Sequence, residues 1–397
     1  MKTPDLDTIL AAMLDTHPGI SDLVFSVGRP LQVESYGELR DAQIAPVAIK
    51  KLTRYQIEKI ALNILGSSRH LLRDLVTNGA CDCSYSMEDR VRFRCNIFRQ
   101  RGNFAIVMRK AQNEMPTLTS LGLSPIFREM VRTKNGLILV TGATGSGKTT
   151  TMSAILNEIN ATQPVHVVTL EDPIEFLHQH KKATFNQREL GADFDTFPNG
   201  LRSALRQAPK VIFVGEIRDR ASVEIVLTAA ETGHLVLSTL HTINAGQSIN
   251  RILGMFERSE ETQLRLRLSE TLRYVVSQRL VPKTHGGRLL INEIMGSNLG
   301  TREAIALGEA EARSFYEIIE PNTTFGWTTF DQSLNRAYQA GLITEETANY
   351  YATNKAKMTR YIDDSKKQRG LSSDAPTGLK LDVDSLAPSY GNLRLGT

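Results

Sequence analysis

Gly142-Ala143-Thr144-Gly145-Ser146-Gly147-Lys148-Thr149 decides how this chain is built. The apolar run Gly136-Leu137-Ile138-Leu139-Val140 leads into it, and Thr150-Thr151-Met152-Ser153-Ala154-Ile155-Leu156 leads out. That is strand, glycine-rich loop and helix in the order a phosphate loop requires. The glycines Gly142, Gly145 and Gly147 let successive backbone N–H groups curl around a polyphosphate, with Ala143, Thr144 and Ser146 as the loop positions between them. Lys148 adds a point charge, the Thr149 hydroxyl is placed to hold magnesium, and Thr150 opens the helix beside the phosphates. The stretch implies a nucleoside triphosphate, with Mg²⁺ as its companion.

The chain has 397 residues, which suggests two or three domains, and 41% hydrophobic content is enough for real cores. Its 47 Lys and Arg against 43 Asp and Glu leave a net charge of +4, which neither demands nor excludes a polyanionic partner. The three cysteines, Cys81, Cys83 and Cys95, are too few and too clustered for a disulfide framework and point to a reducing compartment. They lack a second ligand pair at zinc spacing and read as core or strand residues. The N-terminus carries acids where a signal peptide needs a basic and then an apolar run, and no apolar stretch approaches the length of a membrane span. A cytosolic protein that touches a membrane only peripherally is expected.

Along the chain, Leu6, Ile9, Leu10, Met13 and Leu14 recur at helical spacing until His17-Pro18-Gly19. Residues 22–27 and 31–39 read as strands, 53–65 as a helix capped by Thr53, and 82–108 as strands again. In the last of these, Arg92, Arg94 and Arg99 alternate with apolar residues. Their side is either a solvated sheet face or, through Arg92, Arg94, Arg101 or Arg109, a contact to phosphate bound by a neighbouring domain or subunit. Residues 1–110 therefore read as a small α/β domain and 111–120, broken by Pro116, as a linker. Ser124 as N-cap and Pro125 at the first helical position open the next helix, which Asn135-Gly136 should stop. Strands at 137–141, 165–170, 210–214, 235–240 and 287–294 alternate with helices, the pattern of a parallel α/β sheet. Helical periodicity follows at 258–281 and 328–360. Residues 121–364 make up this second domain, and the Ser/Pro/Gly-punctuated 365–397 reads as a disordered tail.

Ligands of open parallel sheets bind beyond the carboxyl ends of the strands. Glu171, Asp172 and Glu175 follow one strand end and suit magnesium or its water shell. Gly215-Glu216-Ile217-Arg218-Asp219 follows Val211-Ile212-Phe213-Val214, and Glu216 is the candidate general base. Magnesium would be reached through water by Glu171 or Glu216; Asp219 either shares that work or pairs with Arg218. His241 closes a third strand, where a histidine can read the γ-phosphate or relay a proton, while His234 stands at that strand's other end. His178-Gln179-His180-Lys181-Lys182 reads as a wet surface loop.

Four blocks together, Gly142 to Thr149, Thr169 to Phe176, Val214 to Asp219 and Thr232-Gly233-His234 through Leu240-His241-Thr242, resemble the Walker A, Asp-box, Walker B and His-box motifs of the type II/IV secretion ATPase superfamily, in its order and spacing. Ser21-Asp22-Leu23, Arg92-Phe93-Arg94-Cys95-Asn96 and Val275-Val276-Ser277-Gln278 resemble its PilT group, the pilus-retraction or twitching-motility ATPases. The likeness implies a PAS-like N-terminal domain, a RecA-like motor domain, a homohexameric ring, and ATP hydrolysis beneath an inner-membrane pilus platform protein, with the chain cytoplasmic and peripheral at that membrane. It gives Lys148 and Thr149 the Walker A roles, Glu171 the Asp-box role, Glu216 the catalytic carboxylate and His241 the His-box contact. Arg92, Arg94, Arg101 and Arg109 match arginines that act toward nucleotide at subunit interfaces. The chain lacks the long N-terminal extension and four-cysteine segment of assembly and secretion ATPases of the PilB and GspE kind, which favours retraction. Gly300 to Leu307 keeps one arginine, Arg302, of the retraction group's C-terminal motif and loses its second Arg-Glu pair, which leaves an accessory PilU-like role or a type IV secretion role open. A nucleic-acid translocase is not expected, because aromatic residues that would stack bases are not interleaved with the basic ones.

Overall fold

The computed structural model describes residues 5–44, 49–87, 91–110, 114–309 and 313–368. The N-terminal part opens with α1 (Leu6–Leu14), capped by the Asp5 carboxylate. Next come β1 (Ile20–Ser26), β2 (Gln32–Ser35), β3 (Glu38–Asp41), α2 (Arg54–Leu65), α3 (Arg69–Asn78), β4 (Ala80–Met87), β5 (Val91–Gln100) and β6 (Asn103–Lys110). Six antiparallel strands in the order β3-β2-β1-β6-β5-β4 carry α1, α2 and α3 against β2, β6 and β4. The core is apolar: Leu10, Met13, Phe25, Ile57, Phe93 and Ile97 are fully enclosed, and Cys81, Cys83 and Cys95 are buried, free thiols. This is the PAS-like α+β domain expected. Its last hairpin turns on Arg101-Gly102, both at positive φ (49° and 74°), so Arg101 is spent on a tight turn.

The second part contains α4 (Ile126–Arg132), β7 (Gly136–Thr141), α5 (Lys148–Thr162), β8 (His166–Glu171), β9 (Thr184–Glu189), α6 (Phe197–Ala204), β10 (Val211–Val214), α7 (Arg220–Glu231), β11 (Leu235–Leu240), α8 (Ala245–Leu253), α9 (Glu261–Thr271), β12 (Leu272–Pro282) and β13 (Arg288–Gly296). The sheet runs β13-β12-β7-β11-β10-β8-β9, with every pair parallel except β12 with β13. Strands β7, β10 and β11 are buried at every residue, as a sheet covered on both faces demands. It is the RecA-like α/β domain expected. Helices α10 (Leu299–Leu307), α11 (Phe315–Ile319), α12 (Phe330–Gln339), α13 (Glu345–Tyr351) and α14 (Lys355–Gln368) complete the described chain. Phe330, Leu334, Met358 and Ile362 pack with Val281 of β12 and Ile291 of β13 in a separate core.

Several expectations need correction. The helical periodicity at 258–281 holds only to Thr271; Leu272–Pro282 is the second strand beside β7. The strand at 31–39 is two, because Tyr36 and Gly37 both take positive φ and turn β2 back into β3. Pro125, not Ser124, is the N-cap of α4, and that helix stops at Arg132, so Asn135-Gly136 leads into β7. His178 is buried, its ring stacked 4.7 Å from Phe185, and burial lowers its pKa to about 4. Residues 365–368 are the end of α14; the rest of the expected tail, like 111–113 of the linker, lies outside the described residues.

Candidate nucleotide-binding and hydrolysis site

The loop between β7 and α5 is shaped by glycines at positive φ: Gly142 at 148°, Gly145 at 77° and Gly147 at 91°. At Gly142 a side chain is also barred by space, since an added Cβ would stand 2.5 Å from Ser146 Oγ and 2.6 Å from the Gln278 carbonyl oxygen. Lys148, 8% exposed, donates from Nζ to the carbonyls of Gly142 (2.8 Å) and Ala143 (3.2 Å). Burial lowers its pKa, opposed by the nearby Glu216 and Glu175 carboxylates. Ser146 Oγ is buried without a hydrogen-bond partner, a hydroxyl left to turn toward a bound anion. Below the loop, Gln278 of β12 donates to Thr151 Oγ1 at 2.8 Å and Ser277 accepts from Thr141 Oγ1 at 3.0 Å, so β12 braces the start of α5 and the end of β7.

The carboxylates stand where the parallel strands end. Glu171, last in β8, is 6% exposed and accepts from Thr169 Oγ1 (2.6 Å) and Gln187 Nε2 (3.1 Å). Burial outweighs those bonds and raises its pKa to about 7. Glu216 follows β10, and its loop is tied to β11 by Thr239 Oγ1 donating to Gly215 O (2.6 Å) and Ile217 N to Thr239 O (3.2 Å). That tie sets the Glu216 carboxylate 3.4 Å from His241 Nε2 and 2.9 Å from Arg218 Nε. Arg218 also lies 3.6 Å from Asp172. Asp219 turns away: it caps α7, accepting from Ser222 N at 2.8 Å and Ser222 Oγ at 3.2 Å. His234 contacts the Ala229 carbonyl at 3.0 Å, at the far end of β11.

A cavity of about 530 Å³ gathers Thr144, Gly145, Gly147, Lys148, Thr149, Thr150, Glu171, Glu216 and His241. Gly142, Ala143 and Ser146 form the loop beneath it. Of the four arginines, Arg94 lines this cavity, while Arg92 is paired with Glu189 and Arg109 with Asp22 (2.8 Å). Arg101 sits in the hairpin turn. The cavity also takes in Glu175, Arg218, Leu280 and Arg288. Arg288 carried no signal in the sequence, because it reaches the cavity only through the pairing of β13 with β12. Gln278 was marked only by its place in Val275-Val276-Ser277-Gln278.

Residues 78–360 match the family model described as type II/IV secretion system protein. This chain belongs to that family. The pilus retraction ATPase PilT of Pseudomonas aeruginosa is 37% identical over 344 residues, 87% of this chain and 97% of PilT. PilU, a type IV pilus ATPase of the same organism, is 33% identical over 392 residues, covering 98% of this chain and all of PilU. Among solved structures, the retraction motor PilT with bound ADP superimposes with a TM-score of 0.79 at 37% identity, over 90% of this chain and all of that one. As a PilT-like member of the type II/IV secretion family, the chain has the nucleotide-binding fold of its relatives and is an ATPase. None of its described helices is long and apolar enough to cross a membrane.

Proposed function

We propose that this protein is a hexameric motor that hydrolyses ATP to drive type IV pilus retraction, working from the cytoplasmic face of the inner membrane against a pilus platform protein. The observation that carries the reading is the convergence of the loop Gly142 to Thr149, Glu171, Glu216 and His241 on one cavity at the strand ends, in a chain matching PilT along nearly the whole of PilT's length. Loop N–H groups and Lys148 bind the phosphates. Glu216, steadied by Arg218, accepts the proton of the attacking water, and His241 beside it registers the γ-phosphate. Arg94 supplies positive charge from the antiparallel sheet. The Thr149 hydroxyl and the Glu171 and Glu216 carboxylates are an all-oxygen donor set that fits Mg²⁺, with the carboxylates reaching it through water. Magnesium bound there would neutralise charge on the β- and γ-phosphates. Platform, ring and membrane contact come from the family likeness.

A second reading, an accessory motor of the PilU kind, is favoured by the match over all of PilU and by the altered segment around Arg302. Deleting the gene and counting surface pili separates them. Many pili without twitching support retraction, bald cells support assembly, and normal pili with impaired pulling support the accessory role. For the chemistry, Glu216→Gln should lower kcat by roughly 10²- to 10⁴-fold while ATP binding persists, because the amide keeps the shape and loses the base. Wild-type turnover in that variant would remove Glu216 from the mechanism.

A further inference from the structure

Glu189 ends β9, at the edge of the parallel sheet, and is 6% exposed. Three donors converge on its carboxylate: Arg92 Nη2, Ser84 Oγ at 2.6 Å, and the backbone N–H of Ile174 at 3.0 Å. Arg92 Nη2 also donates to Ser84 Oγ at 2.7 Å. These donors come from different bodies. Ser84 and Arg92 lie on β4 and β5 of the antiparallel sheet, whereas Ile174 sits in the turn after β8 whose Asp172, Pro173 and Glu175 line the nucleotide cavity. Glu189 is also the register partner of Glu171, and Leu190 N donates to Glu171 O at 2.9 Å. The Glu189 carboxylate thus holds the N-terminal sheet to the acid turn, while backbone pairing beside it holds the strand end that carries Glu171.

The pair is enclosed, with Arg92 13% and Glu189 8% exposed at the side chain, so neither charge can be released to solvent at small cost. We infer that Glu189 and Arg92 are positioning residues of the nucleotide site: they fix the Asp172–Glu175 turn against the phosphate loop, and Arg92, being bound to a carboxylate, leaves Arg94 as the arginine that meets the nucleotide. The inference rests on the ATPase reading above for its kinetic consequence. Its structural half, the restraint on the turn, stands without it. The division of labour follows from the strand: Arg92 and Arg94 are two residues apart on β5, share a face, and differ in what that face meets. Arg92 and Arg94 both line a pocket beside the Pro173–Phe176 turn, but Arg92 is paired there with Glu189, and of the two only Arg94 also lines the cavity of the phosphate loop.

The test uses the full-length protein as Arg92→Ala, Arg92→Lys, Glu189→Gln, the Arg92→Ala/Glu189→Gln double variant and Arg94→Ala. Amide hydrogen exchange over residues 172–176, binding of fluorescent ADP, and Mg-ATP turnover are measured. Arg92→Ala and Glu189→Gln should each speed exchange in the turn about tenfold and lower kcat roughly 10- to 100-fold, with KM within about threefold. The double variant should be no worse than the poorer single variant, since both residues serve one contact. Arg92→Lys, which keeps the charge, should recover part of the loss and serves if the alanine variant does not fold. Arg94→Ala should leave exchange in the turn unchanged and weaken nucleotide binding at least about tenfold. Unchanged exchange in both single variants, or losses that multiply in the double variant, overturns the inference, as does an Arg94→Ala variant with wild-type nucleotide affinity. If wild-type protein fails to hydrolyse ATP, the functional reading falls, and the exchange data still judge the restraint.

Discussion

Replacing Glu171 by glutamine isolates a charge that burial has already made unwelcome. In the folded protein its pKa rises from 4.5 to about 7, with burial as the leading cause. At about 1.36 kcal/mol per pH unit, that difference corresponds to about 3 kcal/mol. The sign follows from proton binding: between pH 4.5 and 7 the unfolded chain has lost the proton that the folded chain keeps, so wild-type stability falls with rising pH and levels off above 7. Glutamine retains an oxygen for the Thr169 hydroxyl and carries no charge. Its advantage over wild type should therefore be small near pH 4.5, grow through pH 6, and reach up to about 3 kcal/mol at pH 8. Denaturant unfolding of the nucleotide-free protein at several pH values measures this. Glu293, whose pKa burial also raises to about 7, contributes equally to both proteins and cancels. A stability difference that does not change with pH, or a variant less stable than wild type at pH 8, would refute the reasoning. Turnover of the same variant should fall, because an amide is a poorer partner for magnesium's water shell.

Three further substitutions probe the surroundings. Lys148→Ala removes the charged donor now resting on the Gly142 and Ala143 carbonyls, and ADP affinity should drop at least about tenfold, as read by fluorescent-nucleotide titration. Gly142→Ala forces a Cβ against Ser146 Oγ and the Gln278 carbonyl at a φ of 148°, so about 2 kcal/mol of stability and most nucleotide binding should be lost; a melting temperature within 1–2 °C (about 0.5 kcal/mol) of wild type would show that the loop yields. Asp219→Ala should cost about 1 kcal/mol through the lost α7 cap, with kcat within about twofold of wild type. A kcat loss of a hundredfold would restore a metal role to Asp219.

The phosphate loop and the acids behind β8 and β10 were legible because each is a local demand, a backbone shape or a charge after a buried strand, that few residues satisfy. What escaped was non-local or unpunctuated. Helix α9 ends at Thr271 and β12 begins at Leu272 with no glycine or proline between them, so the apolar run reads through the junction as one helix. Strand β9, Thr-Phe-Asn-Gln-Arg-Glu, is too polar to announce itself and forms by pairing with β8. The surroundings of His178 depend on Phe185 stacking over a segment that looks hydrophilic in sequence. The separate fates of Arg92, Arg94 and Arg109 are set by Glu189, the cavity and Asp22, partners distant in the chain or brought near only by the fold.

Strand β12 has a mechanical consequence. Its Gln278 side chain grips Thr151 at the root of the phosphate loop, while the next residue, Arg279, points the other way, lies 3.8 Å over the Phe330 ring and donates to the Tyr351 carbonyl at 2.8 Å. Neighbouring residues of an extended strand are stiffly coupled and face opposite sides. A displacement of the loop large enough to pull Gln278 would be felt at α12 and α13, which Arg279 contacts. In the motor proposed above, β12 is where a stroke begun at the nucleotide would cross to the C-terminal helices.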